Sequence, residues 1–155
     1  MDWIGKKSLS LILRIFTDFC ILACIGVLVG LPWLAEIMVD QLTEQFGWSE
    51  PYWFIIAFFY VCGVLALCIL VQGHLILRTL EKNKPFDVRN ANRFFRVGLF
   101  CLIIAIAFTV KVFMYNTLLT VAGAGIFAIA GLISFILSDV FGKAAQIWEE
   151  QQLTI

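Results

Sequence analysis

The sequence predicts an all-α membrane domain: a bundle of four transmembrane helices with a short amphipathic segment on the outer side between helices one and two. Three observations predict it. Apolar residues make up 62% of the 155-residue chain and charged residues only 14%, with a mean hydropathy of +0.97. A soluble domain of this size has too little interior to hide that much apolar surface. The apolar residues are gathered into four long runs without period-two alternation, and in lipid only helices or closed barrels satisfy their own backbone groups. Lysine and arginine, finally, fall almost wholly on one side of these runs.

The whole chain, 1–155, reads as one membrane domain. The first run, Leu9 to Leu31, would be a helix about 34 Å long, enough to cross a hydrocarbon layer of ~30 Å. It exceeds the apolar core of a signal peptide, contains Arg14 and Asp18, and lacks a small-x-small cleavage site, so it is expected to stay as an anchor. The second run is Tyr52 to Val71. The third, Val97 to Met114, and the fourth, Leu118 to Phe141, are joined by a tight turn at Tyr115, Asn116 and Thr117. Lys6, Lys7 and Arg14 open the first run, six basic residues lie between Arg78 and Arg96, and Lys143 follows the fourth run. Translocating such charge is disfavoured, so both termini and the central loop, 72–96, are expected on the cytoplasmic side.

The outer segment between Pro32 and Pro51 places Leu34, Ile37, Met38, Leu42 and Phe46 at helical spacing, with Glu36, Asp40 and Glu44 recurring every four residues. Trp33, Trp48, Tyr52 and Trp53 flank it as an interfacial belt would. The acidic stripe reads as a solvated face, with a weak divalent-cation or partner site as the sharper reading. In the central loop, NKPFDVRNANRFFRVG, Asn83 suits a helix end, Pro85 blocks simple continuation, and Asp87 suits the N-cap of a helix starting near Val88. Arg89, Arg93 and Arg96 recur at spacings of four and three beside Phe94 and Phe95. This pattern fits anionic lipid headgroups; it also fits docking of a cytoplasmic protein, with Asn90 and Asn92 as hydrogen-bonding groups.

Three charged residues are expected inside the membrane: Arg14, Asp18 and Lys111. Arg14 and Asp18 are four apart and can pair as an interhelical polar clamp, with Asp18 reckoned near mid-membrane. The functional alternative is a proton or ion relay centred on Asp18, with Lys111 as a second partner. His74 is the single histidine and reads as an interfacial polar residue. No catalytic set, phosphate loop, cofactor motif or metal-ligand cluster is legible, so neither an enzyme nor a cofactor is expected. The five cysteines lie in apolar runs and read as packing residues, although Cys20 and Cys24 share a helix face. Gly26 and Gly30 form a G-x-x-x-G step, and Ala124, Ala128 and Gly131 line one side of the fourth run. Both are expected to mark close helix contacts, within one chain or in a homo-oligomer.

Two stretches carry a family resemblance. Pro85, Phe86, Asn90 and Arg93 ahead of the run from Val97 form the first; Gly142, Glu149, Glu150, Leu153, Thr154 and Ile155 in the tail, 142–155, form the second. On these the chain resembles the domain of unknown function 2975 family of small bacterial membrane proteins, departing at Asn83, where the family commonly has Gly. The resemblance implies a bacterial inner-membrane location. It also implies a regulatory or sequestering role, because such proteins are often encoded beside small helix-turn-helix regulators. The expectation is therefore an interaction protein working through its cytoplasmic loop and tail, without direct nucleic-acid contact; the alternative is a small transporter or proton-conducting protein using Asp18.

Overall fold

In a computed structural model, described over residues 3–46, 51–81, 87–114 and 117–153, the chain forms four helices and no strand among those residues. These are α1 (Trp3–Phe46), α2 (Tyr52–Glu81), α3 (Val88–Met114) and α4 (Leu118–Leu153). Each contains a stretch long and apolar enough to cross a membrane, and the chain is a multi-pass membrane protein. The start of α1, the end of α2, the start of α3 and the end of α4 meet at one end of the bundle, called here the termini end.

The helices run beyond the apolar runs that announce them. α1 continues through Pro32, so the amphipathic segment is part of α1 and not a separate piece. Proline removes one backbone donor and leaves the carbonyl four residues earlier without its helical bond. Beyond it the sequence is helix-forming and meets no glycine or further proline until Gly47. Tyr52 at the start of α2 donates its hydroxyl to the Pro32 carbonyl at 3.3 Å, pinning α2 to this region. α3 starts as the sequence predicts: Asp87 Oδ1 accepts the Arg89 N–H at 2.9 Å and the Asp87 carbonyl accepts the Asn90 N–H at 2.8 Å. At the head of α4 the Thr120 hydroxyl donates to the Thr117 carbonyl at 2.6 Å and accepts the Thr117 N–H at 3.2 Å. Asn83, Pro85, Phe86, Tyr115 and Asn116 lie outside the described residues.

Packing follows chain order. α1 packs on α2, α2 on α3, and α3 on α4, while among the described residues α1 does not approach α3 or α4. The tightest seam joins α3 to α4: a Cβ on Gly98 would stand 3.1 Å from the Gly131 carbonyl oxygen, and one on Gly131 would stand 3.2 Å from the Gly98 oxygen. Backbone lies on backbone there, and Gly131 has the close contact expected of it. Towards the other end of this seam the Phe108 ring packs on Phe127 and on Phe58, and Ile104 in the middle of α3 is 1% exposed. Among the described residues the G-x-x-x-G step of α1 makes no contact with another helix. A Cβ on Gly26 would meet nothing within 4 Å, because Gly26 lies on the side of α1 opposite Leu31 and Ala35, which are buried. The close approach of α1 to α2 is made instead at Gly63, where a Cβ would collide with Leu28.

Candidate functional site

Polar side chains concentrate at the termini end, where three sets of contacts join neighbouring helices. On α2, His74 and Glu81 are seven residues apart and share the face turned to α1; Leu75 and Thr79 are four apart and turn to α3. Helical spacing thus lets one segment bind both neighbours.

Between α1 and α2, Arg14 Nη1 donates to Glu81 Oε2 at 3.0 Å, and His74 Nδ1 lies 2.6 Å from Asp18 Oδ1. The second contact is close but does not meet hydrogen-bond geometry, and it is an ion pair only when the imidazole carries a proton on both nitrogens. Arg14 and Asp18 therefore each meet a residue of α2, where their four-residue spacing had offered a pairing with each other. Asp18 lies level with His74, three residues past the apolar run of α2 that ends at Val71. Both pairs are partly solvated, which limits their weight. A double-mutant cycle on Arg14→Ala and Glu81→Ala, read by reversible unfolding in mixed micelles, should give a coupling below about 1 kcal/mol.

Between α2 and α3 the contact is more enclosed. Arg93 Nη1 lies 2.8 Å from the Leu75 carbonyl, 2.6 Å from Thr79 Oγ1 and 3.1 Å from Asn90 Oδ1. The Thr79 hydroxyl spends its own proton on the Leu75 carbonyl at 2.9 Å, leaving its lone pairs to accept from Arg93. Asn90 is wholly buried. Between α3 and α4, Ser138 Oγ donates to the Ala91 carbonyl at 2.8 Å, and the Phe94 and Phe141 rings are 5.0 Å apart.

The structure thus divides the basic stripe expected of the central loop. Asn90 and Arg93 point inward as a helix clamp, whereas Arg89 and Arg96 are exposed. Pro85 and Phe86 lie outside the described residues. Lys111 does not snorkel: it is 8% exposed, with Nζ 4.9 Å from the centre of the Phe58 ring. Asp139 accepts from Lys143 at 2.7 Å, the pairing their spacing offered. Sequence reasoning did not single out Glu81, Thr79, Ser138 or Phe58. Glu81 and His74 had a signal, since their seven-residue spacing matches one face of α2 against the four-residue spacing of Arg14 and Asp18. Thr79 and Ser138 had none, because a hydroxyl in a helix bonds its own backbone as readily as a neighbour's. Gln72 Oε1 and Glu81 Oε1 are buried without a hydrogen-bond partner among the described residues.

A family model described as "Protein of unknown function (DUF2975)" matches residues 33–155. The chain belongs to the DUF2975 family. The DUF2975 match takes in the Arg93 clamp and the glycine seam between α3 and α4, but begins after Arg14 and Asp18. The Asn90 and Arg93 that carried the resemblance are thus, in this DUF2975 chain, the residues that lock α3 onto α2. No curated protein and no solved structure matches the chain.

Proposed function

We propose that this protein is a non-enzymatic interaction protein of the bacterial inner membrane, with both termini in the cytoplasm, and that its protein-binding element is the distal part of α4. The observation that carries this reading is the length of that helix. Ala145 is fully buried, and α4 continues as helix to Leu153 with Ile147 and Trp148 more than half exposed. Apolar surface of this kind near the end of a long helix suits an interface anchor, and tryptophan is among the residue types most enriched in such anchors. The adjoining exposed Glu149 favours a basic partner surface, and a cytoplasmic helix-turn-helix regulator fits that description. The basic bias of the termini end supports the cytoplasmic orientation.

Conduction through Asp18 draws no support from the geometry. Asp18 sits at one end beside His74, Lys111 lies toward the other over Phe58, and Ile104, between them along the bundle, is 1% exposed.

A photo-crosslinking residue at Gln146 or Gln151 in native membranes tests the proposal. The expected product is an adduct with the neighbouring regulator that Trp148→Ala reduces roughly tenfold, as loss of an interface anchor does. Adducts with lipid alone from both positions would sink it.

A further inference from the structure

We propose that Arg78, Arg89 and Arg96 form a binding surface for anionic phospholipid headgroups at the termini end, separate from the α4 extension. The Arg93 clamp creates this surface. With Asn90 and Arg93 held against α2, the rotation of α3 about its axis is fixed, and Arg89, Asn92 and Arg96, spaced by three and four, form one exposed stripe on its outer flank. Because Arg93 reaches Leu75 and Thr79, residues 89–96 of α3 run beside the segment of α2 that holds Arg78, which is also exposed.

Depth and charge both point to a lipid. Arg96 immediately precedes the apolar run from Val97, and Phe95 and Leu99 around it are 53% and 45% exposed, so its guanidinium lies where phosphates meet hydrocarbon. Arg89 is about 10 Å farther from the apolar layer, at 1.5 Å per residue. The exposed Val88, Phe95 and Leu99 line the same flank. A lipid covers such a strip with its tail while its phosphate meets the arginines; a water-borne ligand would leave the apolar half bare. On α3, its cap and the end of α2 no carboxylate competes. α3 contains no Asp or Glu, Asp87 is occupied in capping α3, and Glu81 accepts from Arg14. Among the described residues none of the three guanidinium groups makes an ion pair or hydrogen bond.

The test uses the full-length protein in detergent micelles, titrated separately with phosphatidylglycerol and phosphatidylcholine and read by native mass spectrometry. The wild type should bind phosphatidylglycerol preferentially. A basic residue at the surface contributes about a fivefold effect, so the double variant Arg89→Gln/Arg96→Gln should lose about 25-fold of that preference. Arg89→Lys/Arg96→Lys should keep most of it, which separates loss of charge from loss of fold. Lys143→Gln, at the same end but already paired with Asp139, should change nothing. A wild type without preference, a glutamine variant that retains it, a lysine variant that loses it, or an equal loss in Lys143→Gln would each overturn the proposal.

Discussion

Replacing Arg93 with leucine is expected to cost about 2–3 kcal/mol of stability, the largest loss from any single charged residue in the chain. The substitution removes the donor shared by the Leu75 carbonyl, Thr79 Oγ1 and Asn90 Oδ1, and Asn90 has no exposure through which water could replace it. Leaving enclosed acceptors without their charged donor costs about 1–3 kcal/mol, because the groups left behind keep their desolvation penalty. Arg93→Lys should recover part of the loss, since a single ammonium can reach one or two of the acceptors but lacks the planar fork. Arg89→Leu, four residues earlier on the same helix, should stay within about 0.5 kcal/mol. Reversible unfolding in mixed micelles, followed by far-ultraviolet circular dichroism, measures all three. Equal losses at positions 89 and 93 would contradict the division of the basic stripe into an inner and an outer half.

Gly131→Val is expected to cost about 3 kcal/mol and to loosen α4 from α3. The first added carbon already stands 3.2 Å from the Gly98 carbonyl oxygen and 3.2 Å from the Leu102 side chain, and a backbone oxygen cannot rotate away. Overpacking of this kind usually costs about 1–3 kcal/mol, and a β-branched side chain against backbone belongs at the upper end. Gly26→Val is the matched control, since a Cβ there meets nothing within 4 Å. Protease sensitivity of α4 in the intact protein, compared between the two variants, would show whether the seam has opened.

The four helices were legible because lipid imposes a constraint that composition reveals directly: runs of such length and hydropathy have no other way to satisfy their backbone. The cap at Asp87 was legible for a similar local reason. The ends were not. α1 extends at both ends past Leu9 and Leu31, and α2 continues to Glu81, because a helix persists in interfacial water wherever glycine and proline do not stop it. The site was half legible. Asn90 and Arg93 stood out as a motif, but nothing in one sequence says which flank of α3 turns to α2. Spacing places Arg93 equally well among the lipid-facing arginines. Arg14 and Asp18 were recognised as polar residues needing partners, yet the partners supplied by α2 could be chosen only once the two helices were set side by side. Pairing across helices is a tertiary fact, and residues four apart on one helix are merely the nearest guess.

The attachment of α1, through α2 alone among the described residues, also bears on how the chain is made. Arg14 precedes its partner Glu81 by 67 residues, which a ribosome adds in roughly 3 to 13 seconds at ~5–20 residues per second. Through that interval a helix carrying both a guanidinium and a carboxylate waits at the membrane with no ion pair to α2. The newborn protein thus passes through a stage whose survival depends on its surroundings, such as the insertion machinery or lipid headgroups, before its own second helix can take over.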